Sequence, residues 1–172
     1  LNTTGAFYID YYHGVTKKCR GKFTMNGGTL QGSWIRMMQS GSQTMYADPE
    51  FEINGGEANF TGEFMMGYQT MKMTGNTATL RVNGGRLSVG NILSVVYYSQ
   101  GSTGKSNTTT DGILEINGGE LFCSNVVRMC QAAANTAKLF LNGGTLTARN
   151  ITTTRGKSYL TFNGGAYLPT AA

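Results

Sequence analysis

The sequence predicts an all-β fold, a right-handed, single-stranded parallel β-helix of about six coils with Asn-Gly-Gly corners. Three observations carry this. First, Asn-Gly-Gly occurs six times, starting at Asn26, Asn54, Asn83, Asn117, Asn142 and Asn163, at intervals of 28, 29, 34, 25 and 21 residues. Second, apolar residues hold fixed places around it. Met25, Ile53, Val82, Ile116, Leu141 and Phe162 stand just before each Asn, and Phe23, Phe51, Leu80, Leu114, Leu139 and Leu160 stand two residues further back. Leu30, Ala58, Leu87, Leu121, Leu146 and Tyr167 follow four residues after it. Third, two sets of intervening polar residues alternate in charge in the same order.

The apolar alternation before each Asn marks a strand with one buried face. Asn-Gly is a corner, because Gly takes φ > 0 without a Cβ clash and Asn tolerates it better than most residues. A single Asn-Gly makes a hairpin. Six corners at one supersecondary period make a solenoid. A third strand follows a second corner, with traces at Ile35-Arg36-Met37-Met38-Gln39, Leu93-Ser94-Val95-Val96 and Val127-Arg128-Met129-Cys130-Gln131. Right-handedness follows from the general rule for parallel crossovers.

Stacked coils bring equivalent residues together, so the polar columns test the register. Two residues before the Asn stand Thr24, Glu52, Arg81 and Glu115; three after it stand Thr29, Glu57, Arg86 and Glu120. Both read Thr, Glu, Arg, Glu. Neighbouring coils lie about 4.8 Å apart, and opposite charges facing each other there are favourable. Glu52, Arg81 and Glu115, and likewise Glu57, Arg86 and Glu120, are therefore expected to form outward salt ladders. The six Asn side chains are expected to stack as an amide ladder.

The chain divides into an N-terminal strand or cap, 1–21, and a repeat region, 22–172. In the first part Phe7-Tyr8-Ile9-Asp10-Tyr11-Tyr12 reads as an extra coil without the Asn-Gly-Gly corner or as a cover for the open end. Natural sheets hide such edges. Coils run over about 22–48, 49–76, 77–111, 112–135 and 136–157, with a partial coil over 158–172. Nothing after Pro169 reads as a capping helix, so the C-terminal end is expected to stack on more coils, in the same or another chain. The chain reads as a segment of something longer. Trp34, near the second corner, fits a core plug or an exposed stacking platform, and the core reading is preferred.

Composition narrows the function classes. The chain has 172 residues, 40% hydrophobic and 13% charged, with 25 Gly and 2 Pro, a balance that suits a long, thin solenoid core. The net charge of +5 is scattered, and half of the best-placed arginines face glutamates. No basic stripe points to nucleic acid. The three cysteines, Cys19, Cys123 and Cys130, and a single His13 do not make a zinc site. Cys123 falls in line with Phe60, Val89 and Ala148, as a small buried hydrophobe; a Cys123–Cys130 disulfide is the alternative, although it would cross a coil corner. No stretch is long enough to span a bilayer. No cofactor and no metal is implied.

The longest coil carries a polar insertion, Ser99 to Thr110. Its Gly101-Ser102-Thr103-Gly104-Lys105-Ser106 ends like a phosphate loop, but the glycine spacing is short and no helix follows. Insertions in solenoids gather on one face and often bind. Tyr97, Tyr98, Lys105 and Tyr68 are therefore the candidate contact surface, with a surface glycan, a protein or the chain itself as partner.

The apolar-x-apolar-Asn-Gly-Gly-x-Leu pattern resembles the β-helical repeats of autotransporter passengers and related large bacterial surface adhesins, and more broadly the pectin-lyase-like superfamily. The resemblance covers about 22–168. It implies secretion to the bacterial cell surface or beyond, a stalk, and adhesion or self-association. The uneven coil lengths depart from the usual autotransporter repeat, and this chain contains no membrane barrel.

The residues bear on three functions. A structural or adhesive module, self-associating through its coil ends, follows from the regular repeats and the charge-poor surface. A carbohydrate-active enzyme needs paired carboxylates; an inverting pair stands about 6.5–9.5 Å apart. Glu52 and Glu115 are two coil spacings apart, with Arg81 between them, and Asp10, Asp48 and Asp111 read as loop residues without a common column. A glycan- or protein-binding module would use the aromatic loops without chemistry. No catalytic residue is assigned.

Overall fold

In a computed structural model, residues 1, 5–12, 18–40, 46–68, 74–97, 109–131 and 133–171 are described. Strand β1 spans Ala6–Tyr12 and β2 Lys18–Cys19. Coil one holds β3 (Lys22–Met25), β4 (Thr29–Gly32) and β5 (Trp34–Ser40). A short β6 (Tyr46–Ala47) leads to coil two, with β7 (Glu50–Ile53), β8 (Glu57–Phe60) and β9 (Phe64–Met65). Coil three holds β10 (Thr74–Val82), β11 (Arg86–Val89) and β12 (Leu93–Val96). Coil four holds β13 (Thr109–Ile116), β14 (Glu120–Cys123) and β15 (Val126–Cys130). Coil five holds β16 (Thr136–Leu141), β17 (Thr145–Ala148) and β18 (Asn150–Thr152), and coil six β19 (Lys157–Phe162) and β20 (Ala166–Pro169).

Eighteen of these strands form three six-stranded parallel sheets of a β-helix solenoid, and β2 pairs with β6 in a separate two-stranded parallel sheet. The first sheet runs β3-β7-β10-β13-β16-β19 and the second β4-β8-β11-β14-β17-β20. The third runs β1-β5-β9-β12-β15-β18, so it starts one coil earlier and ends one coil earlier. β1 pairs with β5, from Ala6 opposite Trp34 onward, and thus takes the third-strand place beneath coil one.

Alternation decides which residues meet inside. β16 and β17 bury every second residue, so Ala137, Leu139, Leu141, Leu146 and Ala148 point inward. Burying one such aliphatic side chain is worth about 1.5–3 kcal/mol. The core changes character along its axis. Phe23 stacks on Phe51 at 4.9 Å, and Phe51 meets Phe64 edge-on at 5.6 Å. Further along, Leu80, Leu114 and Leu139 continue the column in register.

At the corners of coils two to five the backbone repeats one hydrogen-bond pattern. The Asn83 and Gly84 N–H groups both donate to the Ile53 carbonyl, and the Arg86 N–H to the Gly56 carbonyl, at 2.8, 3.3 and 2.9 Å. The second Gly sits at φ near +68° in coils three and four. A Cβ there would strike the preceding coil's backbone.

Two boundaries differ from expectation. β10 starts at Thr74 and β13 at Thr109, each three residues before the expected coil starts at 77 and 112. Parallel pairing extends backwards because Asn76 and Asn135 point inward and accept N–H groups from neighbouring strands, Ala47 and Thr110. Loss of a buried backbone partner is costly, so these asparagines keep the ladder going.

Candidate functional site

The asparagine column is continuous. Asn54, Asn83, Asn117 and Asn142 each donate Nδ2 to the Oδ1 of the Asn one coil before, at 2.8 Å. Asn163 does the same to Asn142 at 2.7 Å. Every link runs the same way, from the later coil to the earlier one. A shorter second row runs along the next corner, where Asn125 Nδ2 donates to Asn91 Oδ1 at 3.2 Å. Its sequence signal is an Asn eight residues after Asn83 and Asn117.

The charged columns lie in the expected backbone register. Arg81 stands between Glu52 and Glu115, and Arg86 between Glu57 and Glu120. The side chains choose differently. Arg81 Nε meets Glu115 at 2.6 Å, but its Nη1 reaches Glu50 at 3.0 Å rather than Glu52. Glu52 turns to Lys22 at 2.7 Å and accepts from Asn83 Nδ2 at 3.0 Å. The Lys22 bond chiefly holds the Glu52 carboxyl below its ordinary value. Arg86 meets Glu120 of coil four at 3.5 Å, with its guanidinium over the Phe122 ring of that next coil, and no Glu57 ion pair occurs among the described residues. The physical reason is reach: residues two apart on one strand share a face, so Lys22 and Glu50 compete for the predicted partners. These two were missed in the sequence, although they hold the same alternating places as Thr24 and Glu52.

The candidate contact surface is partly assembled. Tyr68 and Tyr97 stack at 4.9 Å with planes 6° apart. Tyr98 and Lys105 lie outside the described residues, as does His13. The structure adds partners that sequence reading did not link. The Arg36 guanidinium lies 4.1 Å from the Trp34 ring centre and 4.4 Å from that of Tyr68, and Tyr8 packs edge-on against Trp34. Trp34 is half-buried on the outer side of the third sheet, which corrects the preferred core reading. Its neighbour Ile35 takes the inward place. Tyr68 is nearly buried, with Arg36 and Tyr97 both against its ring. Burial pushes the Tyr97 phenol up, with smaller contributions from Tyr68 and Glu63.

The acids also differ from expectation in one respect. Asp48 lies beside Thr77, whose N–H donates to its carboxylate at 3.1 Å, and Thr77 pairs in register with Asp111. Asp48 and Asp111 therefore share a column, because β10 and β13 extend further back than the sequence indicated. Arg20 also approaches Asp48, at 3.7 Å, beside a charged recess lined by Gly21, Lys22 and Glu50. Asp10 holds φ at 56° and accepts the Gly21 N–H at 2.8 and 2.9 Å. Glu63 precedes β9 at the other corner, away from this column.

Cys123 and Cys130 are buried and Cys19 half-buried, all as free thiols. Val89 stands opposite both Cys123 and Phe60, which is the inward column expected for Cys123. Among the described residues no group of three or more His, Cys, Asp and Glu could hold a metal ion. No described helix is long and apolar enough to cross a membrane. Comparison with protein-family models, curated proteins and solved structures returned no match.

Proposed function

We propose that this chain is a non-catalytic extracellular structural module, a β-helical rod acting as a stalk or adhesive element that associates with its own kind. The carrying observation is that its outward chemistry is spent between coils. The Asn amides bind one another from coil one to coil six. Arg81 ties three coils together through Glu50 and Glu115. Tyr68 and Tyr97 stack across coils two and three. Groups committed in this way rigidify an axis and leave little to recognise a substrate.

The rival carbohydrate-active reading needs carboxylates free to move protons. Asp48 is held by Thr77 and Arg20, and Arg81 stands between Glu52 and Glu115. The resemblance of the repeats to autotransporter passengers and surface adhesins, and the Thr-, Ser- and Asn-rich surface, support an extracellular location. Electron microscopy of the native, full-length protein tests the reading. Straight rods of continuous coils are expected. A capped body with sugar density in a carboxylate-lined groove would replace it with an enzyme or lectin.

A further inference from the structure

We propose that the Asn-Gly bonds of coils two to five are deamidation sites gated by the fold. The amide ladder keeps them closed in the stacked solenoid, and each opens when its own Nδ2 loses its acceptor.

The chemistry starts from the sequence. In Asn-Gly the glycine nitrogen, once it has lost its proton, attacks the asparagine Cγ. The new C–N bond closes a succinimide, the Cγ–Nδ2 bond breaks, and the amide nitrogen leaves as ammonia. Water then opens either ring carbonyl, giving Asp or isoaspartate. One amide and one water are consumed, and one acid and one ammonia are formed. Glycine favours the attack because no Cβ shields its nitrogen. Asn54, Asn83, Asn117 and Asn142 all precede a glycine, and all four are exposed to water.

The fold cannot exchange this dipeptide for a safer one. A Cβ at Gly55, Gly84, Gly118 or Gly143 would meet the carbonyl oxygen of the preceding coil's Asn at 2.8, 2.6, 2.5 or 2.5 Å. The asparagine is in turn the rung of the ladder. The stacking that forces a labile dipeptide onto each corner also holds both of its reacting groups.

The nucleophile is held through its proton. The N–H groups of Gly55, Gly84, Gly118 and Gly143 donate to the carbonyls of Met25, Ile53, Val82 and Ile116, one coil before, at 3.4, 3.3, 3.2 and 3.1 Å. The leaving group is held as well. Each Nδ2 donates to the preceding Oδ1 at 2.8 Å. Asn83 has a second acceptor, Glu52 Oε1, at 3.0 Å. Ring closure needs the nitrogen and Cγ about 3–3.5 Å apart, with the carbonyl face turned to the attack. Turning the carboxamide that way breaks the Nδ2 bond. A solenoid built in this manner keeps its most labile dipeptide intact for as long as its coils stay stacked.

The polarity of the ladder makes the protection directional. Each Nδ2 is held by the coil before, and each Oδ1 receives a bond from the coil after. Asn142 therefore relies on Asn117 as acceptor. Asn83 relies on Asn54 and Glu52, and takes only a donor from Asn117. Losing that donor removes polarisation of the Asn83 carbonyl, which works against attack. An Asp at position 117 still accepts from Asn142.

The test follows deamidation in mildly alkaline buffer, for the folded protein and for the same protein unfolded in urea. Trypsin sets Asn83 in Val82–Arg86, Asn117 in Ser106–Arg128 and Asn142 in Leu139–Arg149, so mass spectrometry reads each site separately. In the parent these sites are expected to react about a hundredfold or more slowly when folded, since several hydrogen bonds must break at once. In Asn117→Ala, Asn142 is expected to react about fivefold faster than in the parent, the factor that one ordinary hydrogen bond supplies. Asn83 is expected to keep its parent rate there. Asn117→Asp is expected to leave both neighbours at their parent rates.

Equal rates in the folded and unfolded parent overturn the proposal, and this comparison needs no variant. In Asn117→Ala, equal acceleration of Asn83 and Asn142 overturns it in favour of general loosening, and an unchanged Asn142 overturns it outright. Asn117→Asp releasing Asn142 as much as Asn117→Ala does also overturns it.

Discussion

Asn117 donates Nδ2 to Asn83 Oδ1 at 2.8 Å across 34 residues, and Asn163 makes the same bond to Asn142 at 2.7 Å across 21. The ladder is thus indifferent to how much chain lies between its rungs. Corner geometry sets it, and loop length is absorbed elsewhere. Asn117→Ala removes one bond on each side. Because the column is exposed and water replaces part of the loss, the expected cost is about 1 kcal/mol. Urea denaturation with an unchanged slope checks this.

Equivalent glycines should respond unequally. A Cβ at Gly84 meets the Asn54 carbonyl oxygen at 2.6 Å, and that oxygen is backbone, which cannot move away cheaply. Gly84→Ala is expected to destabilise by about 2–3 kcal/mol, the cost of overpacking. At Gly27 a new Cβ has nothing within 4 Å among the described residues. Gly27→Ala is expected to be neutral or to stabilise by up to about 1 kcal/mol, through the unfolded chain. Thermal unfolding at concentrations where the protein is monomeric separates the two.

Acid should act through Asp10. Burial raises its carboxyl above the ordinary value, the Gly21 N–H offsets part of the rise, and the Asp48 charge adds to it. The folded state therefore binds this proton more readily than the unfolded one. The ionised group weakens the fold at neutral pH, and the penalty fades as pH falls through the raised value to about 4. Asp10→Asn keeps an acceptor for Gly21 and tolerates the positive φ. It is expected to be more stable than the parent at pH 7 and equal to it below about pH 4. Stability against pH for the two proteins decides it.

Thiol reactivity should follow burial. Burial pushes the Cys123 thiol up, and Cys123 and Cys130 are enclosed while Cys19 is half-buried. A thiol-specific reagent at pH 8 is expected to label Cys19 in the folded protein and the other two only on unfolding. Mass spectrometry of the labelled peptides reads this. Fast labelling of Cys123 would contradict the packing described.

Much of the fold was legible because it is written six times. Any one Asn-Gly could be a hairpin, but six, with apolar residues at constant offsets, leave one way to stack. The Thr, Glu, Arg, Glu order recurring in two columns carried the register, and both columns pair as read. The partners inside those columns were less legible. Arg81 took Glu50, and Glu52 took Lys22, because long side chains on one face reach neighbours two residues away. Trp34 is apolar by type, yet its strand parity turns it outward onto Arg36. The common column of Asp48 and Asp111 was hidden because β10 extends back to Thr74.

By itself, the sequence determined the winding: where the chain turns, which residues face inward, and which coil lies on which. Periodicity and the φ demands of Asn-Gly-Gly are local properties, repeated often enough to be read without a structure. Only the tertiary structure decided the choices among near-equal neighbours: which glutamate an arginine takes, which aromatic rings stack, and how the two ends of the solenoid are stepped. Those choices depend on side-chain reach and on the levels at which strands begin and end, and neither is encoded at a fixed spacing along the chain.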